Sequence, residues 1–187
     1  MPCAVMRFLV VLALLLAVLS GLATSATSAS AQEPTLAERR AALEAAVVRE
    51  MNRARAARGL RALRATPSLR AAARSHSRAM LDLGFFAHES ADGTSFSDRI
   101  RHYYPSRGWQ AWSVGEALLA SHGREIQAAA IVSMLLASPP HRTIVLGRSW
   151  RDVGIGALYA PSAPNEFEGA EVIAVTADFG LRTSKRS

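Results

Sequence analysis

The chain has 187 residues and a formal net charge of +7, from 22 Lys and Arg against 15 Asp and Glu, with half of its residues hydrophobic. That length fits one domain, and a single cysteine excludes a disulfide-stapled scaffold, so an ordinary hydrophobic core must hold the fold. A basic balance fits nucleic acid, which an exported chain (below) rarely meets, or an anionic envelope surface; because the arginines are spread along the chain and not blocked into one patch, solvated helix faces are the favoured account of the charge.

Residues 1–31 differ in character from the rest. Arg7 precedes the unbroken apolar run Phe8 to Leu19, and small residues lead to Ala29-Ser30-Ala31. This is the three-part design of a cleaved signal peptide. The alternative is a retained membrane anchor, but Ser20-Gly21 interrupts the run well short of the roughly 20 apolar residues a span needs. Cleavage after Ala31 removes Cys3 as well. No lipid-attachment cysteine follows the apolar run, so the expected product is a released, secreted or periplasmic protein, and a monomer.

Residues 32–44 form a polar lead-in and the start of a first helix. From Leu36 to Arg58 there is no Gly or Pro, and Leu43, Val47, Met51 and Ala54 recur at helical spacing before Gly59. A second helix opens at Thr66-Pro67 and runs to Leu83, ahead of Gly84. Its apolar face carries Leu69, Ala73, His76 and Met80, which makes His76 a packed, hydrogen-bonded core histidine. Thr94 or Ser95 caps a short helix through Arg99 and Ile100, and residues 103–112 read as an irregular aromatic loop. A third helix, Arg124 to Ala137, is apolar nearly all round and expected to be largely buried, with Pro139-Pro140 as its stop. Residues 153–159 and 171–179 read as strands joined by a hairpin-type connection, and Val114 to Leu119 as a further strand. Gly154 and Gly156 then leave room for a helix to approach the sheet closely. The reading is α/β (α+β): helices bracketing a small, mostly antiparallel sheet.

Three short motifs end on side chains that can move a proton or bind a metal: Phe85-Phe86-Ala87-His88, Val114-Gly115-Glu116 and Ser138-Pro139-Pro140-His141-Arg142. Two imidazoles and a carboxylate are the set that serves an open zinc site, with water as fourth ligand. They serve equally as a hydrogen-bonded cluster without metal, and the spacing is no local metal motif. A serine hydrolase using Ser138 or Ser90 has no Gly-x-Ser-x-Gly elbow to support it. His102 and His122 read as surface residues, and Asn52 and Arg55 as bracing groups.

In order, the three motifs sit among Asn52-Arg53-Ala54-Arg55, Gly59 to Leu63, Asp92-Gly93, Val153-Gly154-Ile155-Gly156 and Thr176-Ala177-Asp178-Phe179-Gly180. This series resembles the CAP superfamily (cysteine-rich secretory, antigen 5 and pathogenesis-related proteins), most closely its bacterial SCP-like branch, over residues 45–180, with a basic tail at 181–187. The resemblance implies an α-β-α sandwich. It also implies a shallow cleft lined by two histidines and two acids, with His88, Glu116 and His141 in three of the four places. Ser138 occupies the second acid position. Gly115-Glu116-Ala117 stands where the family has Gly-Glu-Asn, and Pro140 where it has glycine. Two function classes follow: a non-enzymatic module that binds an envelope lipid, glycan or peptide in the cleft, or a metal-dependent hydrolase, in the first place a zinc peptidase, using His88, His141 and Glu116. The missing second acid favours binding.

Overall fold

The computed structural model describes residues 33–184; the expected signal peptide lies outside the described residues. Among the described residues five α-helices and four strands follow one another in the order α1 (Leu36–Ala56), β1 (Arg64–Ala65), α2 (Pro67–Leu83), α3 (Phe96–Tyr103), β2 (Ala111–His122), α4 (Ala128–Ala137), α5 (Pro139–Val145), β3 (Asp152–Ala160) and β4 (Val172–Thr183). The strands form one sheet in the order β1-β3-β4-β2. β4 pairs antiparallel with both β2 and β3, and only the two-residue β1 runs parallel, to β3. No helix among the described residues is long and apolar enough to cross a membrane.

Strand alternation divides the sheet between two helical layers. On one face Val153, Ile155, Ala157, Val175, Ala177 and Phe179 pack with Val47 and Met51 of α1 and Ile131 and Leu135 of α4. On the other face Gly154 and Gly156 admit α2 so closely that a Cβ on Gly154 would lie 2.1 Å from the backbone of Leu69 and Arg70, and one on Gly156 2.4 Å from that of Ala73 and Arg74. Ser77 of α2 then reaches the sheet itself, bonding the Gly156 carbonyl at 2.9 Å and the Thr176 hydroxyl at 2.8 Å. The result is an α-β-α sandwich.

Local chemistry explains the element ends. Thr35 and Glu38 form a reciprocal capping box at the start of α1. Pro67 opens α2, and Gly84, at φ 65°, closes it in the left-handed conformation. Because β1 covers only the first two residues of β3, the edge beyond them needs another partner. The buried Glu44 of α1 supplies it, accepting from the Ala157 amide at 3.3 Å while held by the Arg74 guanidinium of α2. Asn52 exchanges two hydrogen bonds with the Leu63 backbone, at 2.8 and 3.0 Å. The fully buried Arg55 donates to the carbonyls of Arg61, Val145 and Gly147. Both residues brace the fold as expected.

Several elements differ from the sequence reading. The third long helix, α4, starts at Ala128, four residues after the expected Arg124, with no Ser, Thr, Asp or Asn available as an N-cap. It is buried on one face only, through Ile131, Val132 and Leu135, while Met134 is 39% exposed. The two prolines that stop it also begin a new helix, α5, because a proline in the first turn gives up no hydrogen bond. Strand β2 spans 12 residues, more than the expected 114–119, since β4 offers it a partner along its whole length. Strand β4 likewise continues through Leu181–Thr183, residues read as part of a tail.

Candidate functional site

Glu116 sits mid-strand in β2, the edge strand opposite β1, on the face covered by α2 and α3. Directly across the β2–β4 ladder lies Asp178, so two carboxyl side chains stand side by side on one face. Both residues are buried, Glu116 at 5% and Asp178 at 0% exposure. A buried carboxylate needs compensation, and Glu116 has it twice. His88, on the loop between α2 and α3, places Nδ1 2.8 Å from Oε1, and Arg99 of α3 donates from Nη2 to Oε2. The other terminal nitrogen of Arg99 donates to the His88 carbonyl at 2.9 Å and to the Ser90 hydroxyl at 3.1 Å. One guanidinium therefore ties the His88 loop to the acid that orients the His88 ring. The His88 side chain is 46% exposed, so its remaining nitrogen is available to solvent.

Asp178 has no such support. No N–H or cation reaches either of its oxygens, its neighbour across the ladder is the Glu116 carboxyl, and burial, with the Glu116 charge second, pushes its own carboxyl well above the usual range; Arg99 works in the opposite direction. Burial thus biases Asp178 toward its neutral form beside Glu116. His76, beside the sheet contact of Ser77, places Nε2 2.9 Å from the Ala87 carbonyl and is buried, as expected for a core histidine. Its imidazole is held below the ordinary value, chiefly by burial, while the Glu116 carboxylate pulls the other way.

His141 belongs to α5, on the opposite helical layer. α3 and α5 each lean on β2, one from either side, and His141 lies close enough to His88 for that ring's charge to lower its pKa, after the larger effect of burial. Ser138 caps the α4–α5 junction without a side-chain hydrogen bond to the helix. Neither Ser138 nor Ser90 is hydrogen-bonded to a histidine, so neither is set up as a nucleophile. His88 and Glu116 are thus in direct contact, His141 approaches His88 from the other layer, and Ser138 makes no hydrogen bond to any of the three.

A metal does not fit the arrangement as it stands. Both Glu116 oxygens are engaged, which leaves two imidazoles, and no group of three His, Cys, Asp or Glu among the described residues is disposed to hold an ion. Structural and catalytic zinc sites use three or four protein ligands. Sequence reasoning did not assign Arg99, Asp178 or His76 to the site. An aspartate inside the apolar run Val172 to Phe179 was the available signal, because a buried acid must answer to something nearby.

Residues 48–177 match the family described as the cysteine-rich secretory protein (CAP) family. Solved structures share the fold. An extracellular protein containing an SCP domain from Bacillus anthracis is 20% identical, with a TM-score of 0.60 over 82% of this chain and 45% of its own. An outer surface protein from Borrelia burgdorferi is 19% identical, with a TM-score of 0.56 over 73% of this chain and 90% of its own. A cysteine-rich secretory protein from Staphylococcus aureus is 12% identical, with a TM-score of 0.51 over 79% of this chain and 40% of its own. The chain therefore spans less than half the length of the first and third. No curated protein matches it in sequence. With the family match covering most of the chain and the sandwich shared with bacterial SCP domains, the protein belongs to the CAP family.

Proposed function

We propose that this is an exported CAP module that binds an envelope lipid, glycan or peptide at the His88–Glu116–His141 surface and is not an efficient hydrolase. The observation that carries this reading is the engagement of Glu116. A carboxylate whose two oxygens are held by Arg99 and His88, with its side chain 1% exposed, positions a loop and a ring; it is not free to take a proton from water or to ligate a metal. The half-exposed His88 and the nearby His141 then offer hydrogen-bonding imidazoles to a ligand. Export is supported by the N-terminal pattern and by the extracellular and surface proteins that share the fold. Intact mass of the released protein should correspond to a chain starting at Gln32.

One observation favours hydrolysis as a second reading. A histidine oriented through Nδ1 by a buried acid, with its other nitrogen open, has the geometry of a general base. What it lacks is a nucleophile or an activated water beside it. The test is co-sedimentation of the protein with purified envelope fractions. Wild type should be retained, and His88→Ala/His141→Ala should stay in the supernatant although folded. Equal retention of the double variant overturns the cleft assignment.

A further inference from the structure

Beside Arg99, a concavity of about 280 Å³ opens between α2 and α3. None of His88, Glu116, Ser138 or His141 lines it, so it is a separate feature from the surface described above. We propose that it is a binding site for a single neutral sugar ring.

Its size sets the first limit. At about 280 Å³ it lies just below the usual range of ligand sites, which runs from roughly 300 to 1,000 Å³. That is room for about one ring rather than a whole drug-sized ligand. Its chemistry sets the second. Three hydroxyls, from Ser75, Ser90 and Thr94, line it, and each both donates and accepts. Asp92 adds a carboxylate that accepts from the Thr94 amide at 2.9 Å. His102 is exposed and meets the Tyr103 ring edge-on at 5.1 Å, which leaves an aromatic wall beside a polar floor. Ala79, the Tyr103 ring and the buried His76 ring also line the space, and apolar surface makes up the larger share of its walls. A ligand with hydroxyls on its rim and C–H groups on its faces matches this lining. An anion does not, because the Asp92 carboxylate borders the space and the terminal nitrogens of Arg99 are committed to Glu116, His88 and Ser90.

The position gives the site a consequence. Ser90, Asp92 and Thr94 lie on the same loop as His88, and Arg99 forms a wall of the concavity while holding both His88 and Glu116. A ring bound here therefore braces the loop that carries His88. The proposal does not depend on the cleft reading, and the test keeps the two apart.

The experiment is an amide-resolved NMR titration of the full mature protein with N-acetylglucosamine and its tetramer, with sodium sulfate as the anionic arm. Saturable shifts are expected at Ser75, Asp92, His102 and Tyr103 with either sugar and not with sulfate. Ala79→Trp, which fills the space from the half-exposed face of α2, should abolish them. His102→Ala, at an exposed position that does not threaten folding, should weaken binding by about tenfold, the cost of one lost polar contact. His141→Ala should leave them unchanged. Shifts with sulfate alone, no shifts with either sugar, or shifts that survive both Ala79→Trp and His102→Ala overturn the proposal.

Discussion

Replacing Arg99 with alanine tests whether one guanidinium holds the His88–Glu116 pair together. Its side chain is 9% exposed and that of its partner Glu116 is 1% exposed, so water cannot readily replace the lost contact. The substitution leaves the buried Glu116 carboxylate beside a second carboxyl, Asp178, without the guanidinium that offset its charge, and frees the His88 carbonyl and the Ser90 hydroxyl. Breaking a buried ion pair from one side costs about 3–5 kcal/mol. At about 2–4 °C per kcal/mol for a domain of this size, the midpoint of thermal unfolding should fall by about 6–20 °C. Adding Glu116→Gln to Arg99→Ala should recover part of that loss, because the double variant no longer buries an unpaired charge. Thermal unfolding followed by circular dichroism on the four members of the cycle measures both. A fall of less than about 2 °C for Arg99→Ala, or no recovery in the double variant, would show that the pair is not what holds the loop.

Gly156→Val should destabilise the fold by at least the roughly 1–3 kcal/mol of ordinary overpacking, because its Cβ meets backbone atoms of Ala73 and Arg74 and not the end of a flexible side chain; urea unfolding reads this directly. Asp178 has a raised carboxyl pKa, so the folded chain keeps a proton that the unfolded chain releases above the ordinary carboxylate range. The stability this group lends is present at and below that range and is lost as pH rises toward the raised value. Asp178→Asn, which imitates the neutral acid, should therefore gain on wild type as pH is raised from about 5 to about 8; a deficit constant across pH would refute the neutral-acid assignment. Added zinc should not raise the unfolding midpoint, since Glu116 is already engaged. A rise that disappears in His88→Ala/His141→Ala would show that the two histidines hold a metal after all, a hundredfold excess over the dissociation constant adding about 2.7 kcal/mol.

The sequence made α2 legible to its last residue because Thr66-Pro67 and Gly84 are unambiguous punctuation, and it made the closeness of that helix to the sheet legible through Gly154 and Gly156. The double proline was harder. Proline stops one helix and starts the next with equal ease, so α5, and with it the helical setting of His141, was hidden in a motif read only as a terminator. His88 and Glu116 were legible as residue types, but what they do depends on cross-strand and cross-loop neighbours. Arg99 lies well before Glu116 in the chain and Asp178 far after it, and no local pattern links the three. Counting carboxyls by motif position gave Ser138 as the second place, whereas the sheet register puts a second carboxyl, Asp178, beside Glu116 and out of reach of solvent.

Whether Glu116 is a positioning group is tested most directly by hydrolytic turnover. Purified wild type and Glu116→Gln, assayed on casein and on simple esters with and without zinc, should be alike and indistinguishable from the protein-free blank. Turnover on the order of 1 per second, the low end of ordinary enzymes, that is present in wild type and lost in Glu116→Gln would contradict it.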